Sequence, residues 1–185
     1  MRPKRTPEEL YMLCQDCATT VYGQRPPTPA YATRVARLLF GTAAQESGLQ
    51  WERQRSVSFD GPVGGFGKWQ VERGSIRCSL DYLRDRPDVL ERATAFLFDD
   101  PGARTTWVET MPLEAILWAL RLDENDALGV LFARIHYFMV AESVPESVAD
   151  QARYWKVHYN TIAGGGNPAQ YVASWQRFCA AVAGT

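Results

Sequence analysis

The sequence predicts a mainly α-helical single domain with one small, irregular β-hairpin in a glycine-rich insert. Its helical character rests on three observations. Apolar residues recur at helical spacing through most of the 185 residues. Helix starts are marked by a polar capping residue followed by proline, as at Thr6-Pro7 and Thr28-Pro29. Only residues 48–75 lose the helical period, fill with glycine and place an Asp60-Gly61 turn signal between short β-prone runs. No period of 20 to 50 residues repeats and no low-complexity tract appears, so one domain spanning 1–185 is the expectation.

Taken in order, Thr6, Pro7 and Glu9 read as N-cap, first helical residue and capping-box partner. Leu10, Leu13, Cys14, Cys17 and Val21 then share one face, giving a first helix to about Tyr22 that stands as an accessory element. After "GQRPPTP", a second helix presents Val35, Leu38, Leu39, Thr42 and Ala43, and one further turn of that stripe reaches Glu46. Gly48 is its expected C-cap. Past the glycine-rich stretch, helical pattern resumes at Ile76 and covers Ser79 to Phe98 with a break at Pro87. Another helix is expected from Pro112, with Leu113, Ile116, Leu117 and Leu120 inward. Asn125 or Asp126 caps a strongly apolar helix through Leu128, Leu131, Phe132, Ile135 and Met139, read as the central buried one. Pro145 opens a helix whose Val148, Ala152, Trp155 and Tyr159 share a face, and "AGGGNP" connects it to a last helix with Tyr171, Val172, Trp175, Phe178, Cys179 and Val182.

Composition narrows the function classes. With 20 Lys+Arg against 21 Asp+Glu there is no basic field to hold nucleic acid or an anionic membrane. The basic start is followed by no apolar stretch of signal-peptide type, and nowhere do about 18 apolar residues run together. Neither export signal nor membrane insertion is expected, so the 4 Cys should remain reduced thiols. Cys14 and Cys17 fall on an apolar stripe and read as buried packing; Cys78 and Cys179 are scattered. Two lone histidines, His136 and His158, make no metal set, and "AGGGNP" lacks the Lys and Ser/Thr of a phosphate loop. No metal or cofactor is expected.

The residue that invites chemistry is Glu46. A carboxyl in the last turn of a helix faces the negative end of the macrodipole, and the apolar stripe it continues adds desolvation; both favour the protonated form. A glutamic acid that keeps its proton near neutral pH suits general-acid work on a departing glycosidic oxygen. Glycines at 64, 65 and 67 permit positive φ and close approach of backbone to a ligand, or form a plain turn. Trp51, Trp69 and Trp155 offer faces for sugar stacking, whereas Trp118 and Trp175 continue apolar stripes.

Three segments, "AAQESGL", "GPVGGFGKWQVE" and "KVHYNT", together resemble the signatures of the lysozyme-like superfamily, in the version of soluble lytic transglycosylases and goose-type lysozymes. The resemblance spans about residues 35–75 and 150–177. It implies a peptidoglycan-cleaving enzyme acting on the β-1,4 bond between N-acetylmuramic acid and N-acetylglucosamine, with Glu46 as the single acid/base. It implies a substrate cleft lined by Ser47, Gly65, Gly67, Trp69, Gln70, Tyr159 and Asn160. The implied partners are glycan strands and, for a bacteriophage protein made in the host cytoplasm, other virion components; release to the wall at lysis is the alternative. Lys68 and Trp69 depart from the pattern, standing where aliphatic or Met residues are usual, and a bulky pair in the cleft would favour a noncatalytic glycan-binding or structural module. Glu52, Asp60 and Glu72 are all candidates for a second carboxylate, and no spacing selects among them. Hydrolysis and release of an anhydro sugar stay open.

Overall fold

The computed structural model describes residues 5–50, 56–58, 61–110, 121–122, 125–160 and 164–179. Within them the chain is mainly helical. Helix α1 (Pro7–Thr20) begins with the expected capping box: Glu9 N donates to Thr6 Oγ1, and Thr6 N donates to the Glu9 carboxylate at 2.7 Å. Its Leu10, Cys14, Cys17 and Ala18 are buried, and it packs on α2 (Pro29–Ser47). Both Cys14 and Cys17 are thus core residues, and burial pushes their thiols up, Cys17 to about 12. Such thiols are poor nucleophiles.

Helix α2 is the structural axis of the candidate site. Thr28 caps its start, and Val35, Leu38, Leu39 and Ala43 are at most 1% exposed. Gly48, with φ of 61°, ends it as a left-handed C-cap whose N–H reaches the Ala43 and Ala44 carbonyls.

The glycine-rich insert forms two short antiparallel ladders. Strands β1 (Ser56–Ser58) and β2 (Gly61–Val63) pair Ser58 with Gly61, so Gly61, expected in the turn, belongs to β2. Strands β3 (Gly65–Phe66) and β4 (Val71–Glu72) pair Gly65 with Glu72 and Phe66 with Val71 across the turn 67–70. Trp51, Glu52 and Asp60 lie outside the described residues.

Helix α3 (Arg73–Arg84) starts directly after β4, earlier than the pattern indicated, and α4 (Pro87–Leu97) follows the expected break. Helix α5 (Pro101–Thr110) went unread in the sequence, although Asp100 accepts from Ala103 N at 2.7 Å and Pro101 stands at the first position. Its weak amphipathicity hid it. The helix expected from Pro112 lies outside the described residues, as do Trp118 and Val182.

Helix α6 (Asp126–Phe138) is capped by Asn125, whose side chain accepts from Leu128 N, and is buried as expected from Leu128 to Ile135. Met139 is instead the exposed C-cap. Helix α7 begins later than Pro145 indicated, at Val148 after the Ser147 cap, and runs to Trp155. Lys156–Asn160 continue it as one π-helical turn, a distortion that sequence periodicity does not reveal. Asn167 caps α8 (Pro168–Phe178), of which only Tyr171 is fully buried. Its hydroxyl donates to Leu38 O at 3.3 Å, so that a side chain on Gly41 would collide with it.

Candidate active site

Glu46 stands in the last turn of α2, half-buried, one turn beyond the buried stripe. Its Oε1 accepts a hydrogen bond of 2.9 Å from Trp155 Nε1, and the Asn160 amide is a second donor. Asn160 Oδ1 is taken by Lys156 Nζ at 2.8 Å, an ammonium that also donates to Gly164 O at 2.7 Å. With its oxygen so occupied, Asn160 turns its NH₂ to the carboxyl. The π turn is what permits this: it widens the backbone after Trp155 so that residues 155 and 160 face the same group.

Burial is the largest influence on Glu46, raising its pKa from an ordinary 4.5 to about 7. The Trp155 and Asn160 bonds oppose it, Glu72 raises it further, and Lys156 lowers it. The upward direction agrees with expectation, and its cause is enclosure by α7 and the π turn.

The other residues named from the sequence divide into two groups. Asn160 touches Glu46, as just described. Tyr159 lies beside it, but its hydroxyl donates to Trp69 O at 2.8 Å, pinning the π turn to the turn 67–70. Its phenol is pushed far up by burial and by Glu46 and Glu72, so it acts as a fixed brace.

Gln70 sits at the end of that turn with a positive φ of 47°, and its Nε2 donates to Gly67 O at 2.8 Å, closing its own turn. Ser47 Oγ donates back to Ala43 O at 3.1 Å within the helix.

Trp69 is a correction. Its ring is 1% exposed, its Nε1 donates to Leu39 O at 2.8 Å, and Gly129 of α6 makes room for it. No face remains for a sugar; the residue is a core pillar that ties the turn to α2. Lys68 is likewise 2% exposed, with Nζ 2.5 Å from Asp126 Oδ1 at the start of α6. The bulky pair therefore points into the protein and does not obstruct a subsite.

Glycines 65 and 67 also serve the protein itself rather than ligand approach. A Cβ on Gly65 would meet Gln70 atoms at 2.6 Å, and one on Gly67, whose φ is 66°, would meet Leu122 O at 2.7 Å. Trp155, read as a stacking face, is wholly buried and contributes its N–H instead. Gly166, read as part of a plain connector, is the seat of that ring: a Cβ there would lie 2.6 Å from it.

Lys156 and the π turn escaped sequence reasoning, the first because nothing local in sequence shows that its ammonium reaches Asn160 and Gly164. His158 faces away from the carboxyl, with Nε2 2.5 Å from Glu142 Oε2. His136 Nε2 lies 2.7 Å from His158 O, and burial lowers its pKa. Among the described residues no three His, Cys, Asp or Glu side chains gather as a metal set, and no helix is long and apolar enough to cross a membrane.

Compared with known protein families, curated proteins and solved structures, the chain matches none.

Proposed function

We propose that the protein is a peptidoglycan glycosidase that cleaves the β-1,4 bond between N-acetylmuramic acid and N-acetylglucosamine, with Glu46 as acid and then base. The observation that carries this reading is the half-buried Glu46 carboxyl, its pKa near 7, held at a helix end by two donors. Desolvation keeps the proton on Glu46 before reaction. As the bond between the anomeric carbon and the glycosidic oxygen breaks, that oxygen takes the proton. The carboxylate left behind is the form that the Trp155 and Asn160 donors and the Lys156 ammonium favour. These groups partly offset the burial that raises its pKa, so the carboxyl keeps its proton near neutral pH and can still give it up to the leaving oxygen. Glu46 then accepts a proton from the nucleophile that attacks the anomeric carbon.

The bulky pair that would favour a noncatalytic module, Lys68 and Trp69, is interior. Clearing of purified bacterial cell wall by wild type and Glu46→Gln tests the proposal. The variant should clear about 10²- to 10⁴-fold more slowly, the usual worth of a general acid. Equal clearing by the two proteins, or wild-type binding to glycan without cleavage, would overturn it.

A further inference from the structure

Asn160 can meet Glu46 in two ways. Its amide carries an NH₂ group on one side and a carbonyl oxygen on the other, and half a turn about the terminal torsion exchanges them. The NH₂ donates to a carboxylate and favours the ionised form of Glu46, whereas the carbonyl accepts the proton of a carboxylic acid and favours the neutral form. Whichever side faces the carboxyl therefore sets how readily Glu46 gives its proton away. Shape alone does not choose between them.

The choice falls to Lys156, which opens the π turn that Asn160 closes. Its ammonium donates to Asn160 Oδ1 at 2.8 Å and to Gly164 O at 2.7 Å. An ammonium has donors and no acceptor, so it holds the oxygen side of the amide and opposes the NH₂ side. Gly164 brings the connector against the same amide: a Cβ there would strike Asn160 O and Oδ1. Two residues further on, Gly166 seats the Trp155 ring, which supplies the other donor to Glu46. By tying the π turn to this connector, one ammonium stands behind both donors. The two acceptors it bonds are uncharged, and its own charge is felt at Glu46. The groups that face Glu46 are Trp155 from α7, Lys156, Tyr159 and Asn160 from the π turn, Glu72 from β4 and Tyr137 from α6.

We infer that Lys156 is a positioning residue of the reaction, holding Asn160 with its NH₂ group toward Glu46 and its carbonyl away. This role rests on the glycosidase reading and deepens it, because it identifies what readies the acid to release its proton. Without the ammonium, the amide turns over and its carbonyl accepts the O–H of neutral Glu46. The acid then holds its proton more tightly, and the leaving oxygen receives it more slowly.

Lys156→Met keeps an unbranched stem and removes the ammonium. Two NMR titrations read the effect without turnover. In wild type the Asn160 side-chain NH₂ signal should shift as Glu46 ionises, and in Lys156→Met that response should be lost. The Glu46 midpoint should rise by about one pH unit, the scale of one hydrogen bond to a charged group. Placed on Asn160→Ala, the same substitution should raise it by less, because only the through-space charge is then removed. In digestion of purified cell wall, the upper limb of the pH–rate profile should move to higher pH in Lys156→Met, with the optimum rate about 10-fold lower. A wild-type Asn160 signal that ignores Glu46, one that follows it equally in Lys156→Met, or equal midpoint rises in the two backgrounds would overturn the positioning role while leaving Glu46 as the acid. A wild type that leaves the wall intact would overturn the glycosidase reading, and with it any part of Lys156 in the reaction, even where the titrations show the amide held.

Discussion

At the scale of single residues, Glu46 links function to stability through one physical quantity. Its pKa in the fold, about 7, lies above the ordinary 4.5, so between those values the folded chain holds a proton that the unfolded chain has released. The stabilising effect of that proton is complete below about 4.5 and is lost as pH rises through about 7. Above that, the buried carboxylate costs on the order of 2–3 kcal/mol. Glu46→Gln should therefore unfold at higher denaturant than wild type at pH 8, with the gap shrinking toward zero near pH 4. Paired urea titrations check this. The same ionisation sets the working range: as an acid, Glu46 should support cleavage that declines as pH rises through about 7.

Trp155→Phe keeps the ring packing against Tyr171 but removes the 2.9 Å bond that favours the carboxylate. The upper limb of the pH–rate profile should then move to higher pH while the rate at the optimum falls about 10-fold, roughly the worth of one hydrogen bond to a charged group. An unmoved limb would mean that the Trp155 N–H does not govern the proton. Glu46 itself was legible from the sequence because one stripe of α2 leads to it. Trp155 was not, since a tryptophan reads alike whether it offers a face to sugar or an N–H to a carboxyl.

Among the elements, the segments joining helices decide the geometry. Gly48 and Gly166 make an instructive pair. Gly48 is left-handed and has open space where a Cβ would go, so Gly48→Ala should cost about 1 kcal/mol of stability and little activity. At Gly166 the added methyl meets the Trp155 ring at 2.6 Å. That ring is fully buried and cannot swing aside freely, so Gly166→Ala should displace the N–H from Glu46. Wall clearing should fall at least about 10-fold, since a small misplacement of a catalytic group is costly. Thermal melts and clearing assays on the two variants separate the effects. The starts of α1, α2 and α6 were readable because Thr6, Thr28 and Asn125 cap by side-chain chemistry local in sequence. Helix α5 and the π turn were not, for the first has little amphipathic pattern and the second is imposed by what α7 packs against.

Across the whole molecule, the glycine-rich insert is anchored at several depths. Trp69 reaches α2 through Leu39 O, Lys68 reaches the start of α6 through Asp126, and Tyr159 returns from the π turn to Trp69 O. Arg5 approaches the same Asp126 at 3.6 Å, bringing the chain start of α1 to this point. Asp126→Ala leaves an ammonium that is 2% exposed without this carboxylate, and loss of one member of such a pair costs about 3–5 kcal/mol. A correspondingly lower midpoint in chemical denaturation is expected; a change under about 1 kcal/mol would mean that the pair is not a structural tie. By itself the sequence determined the helical class, the capped starts of α1, α2 and α6, their buried faces, and the carboxyl at the end of α2. Those follow from periodicity and local hydrogen bonding, which act within a few residues along the chain. Tertiary structure alone decided that Lys68 and Trp69 turn inward, that Trp155 and Asn160 hold Glu46, and that Tyr159 ties the π turn to the turn 67–70. Those depend on contacts between segments up to about a hundred residues apart, for which burial and desolvation, not chain neighbours, set the outcome.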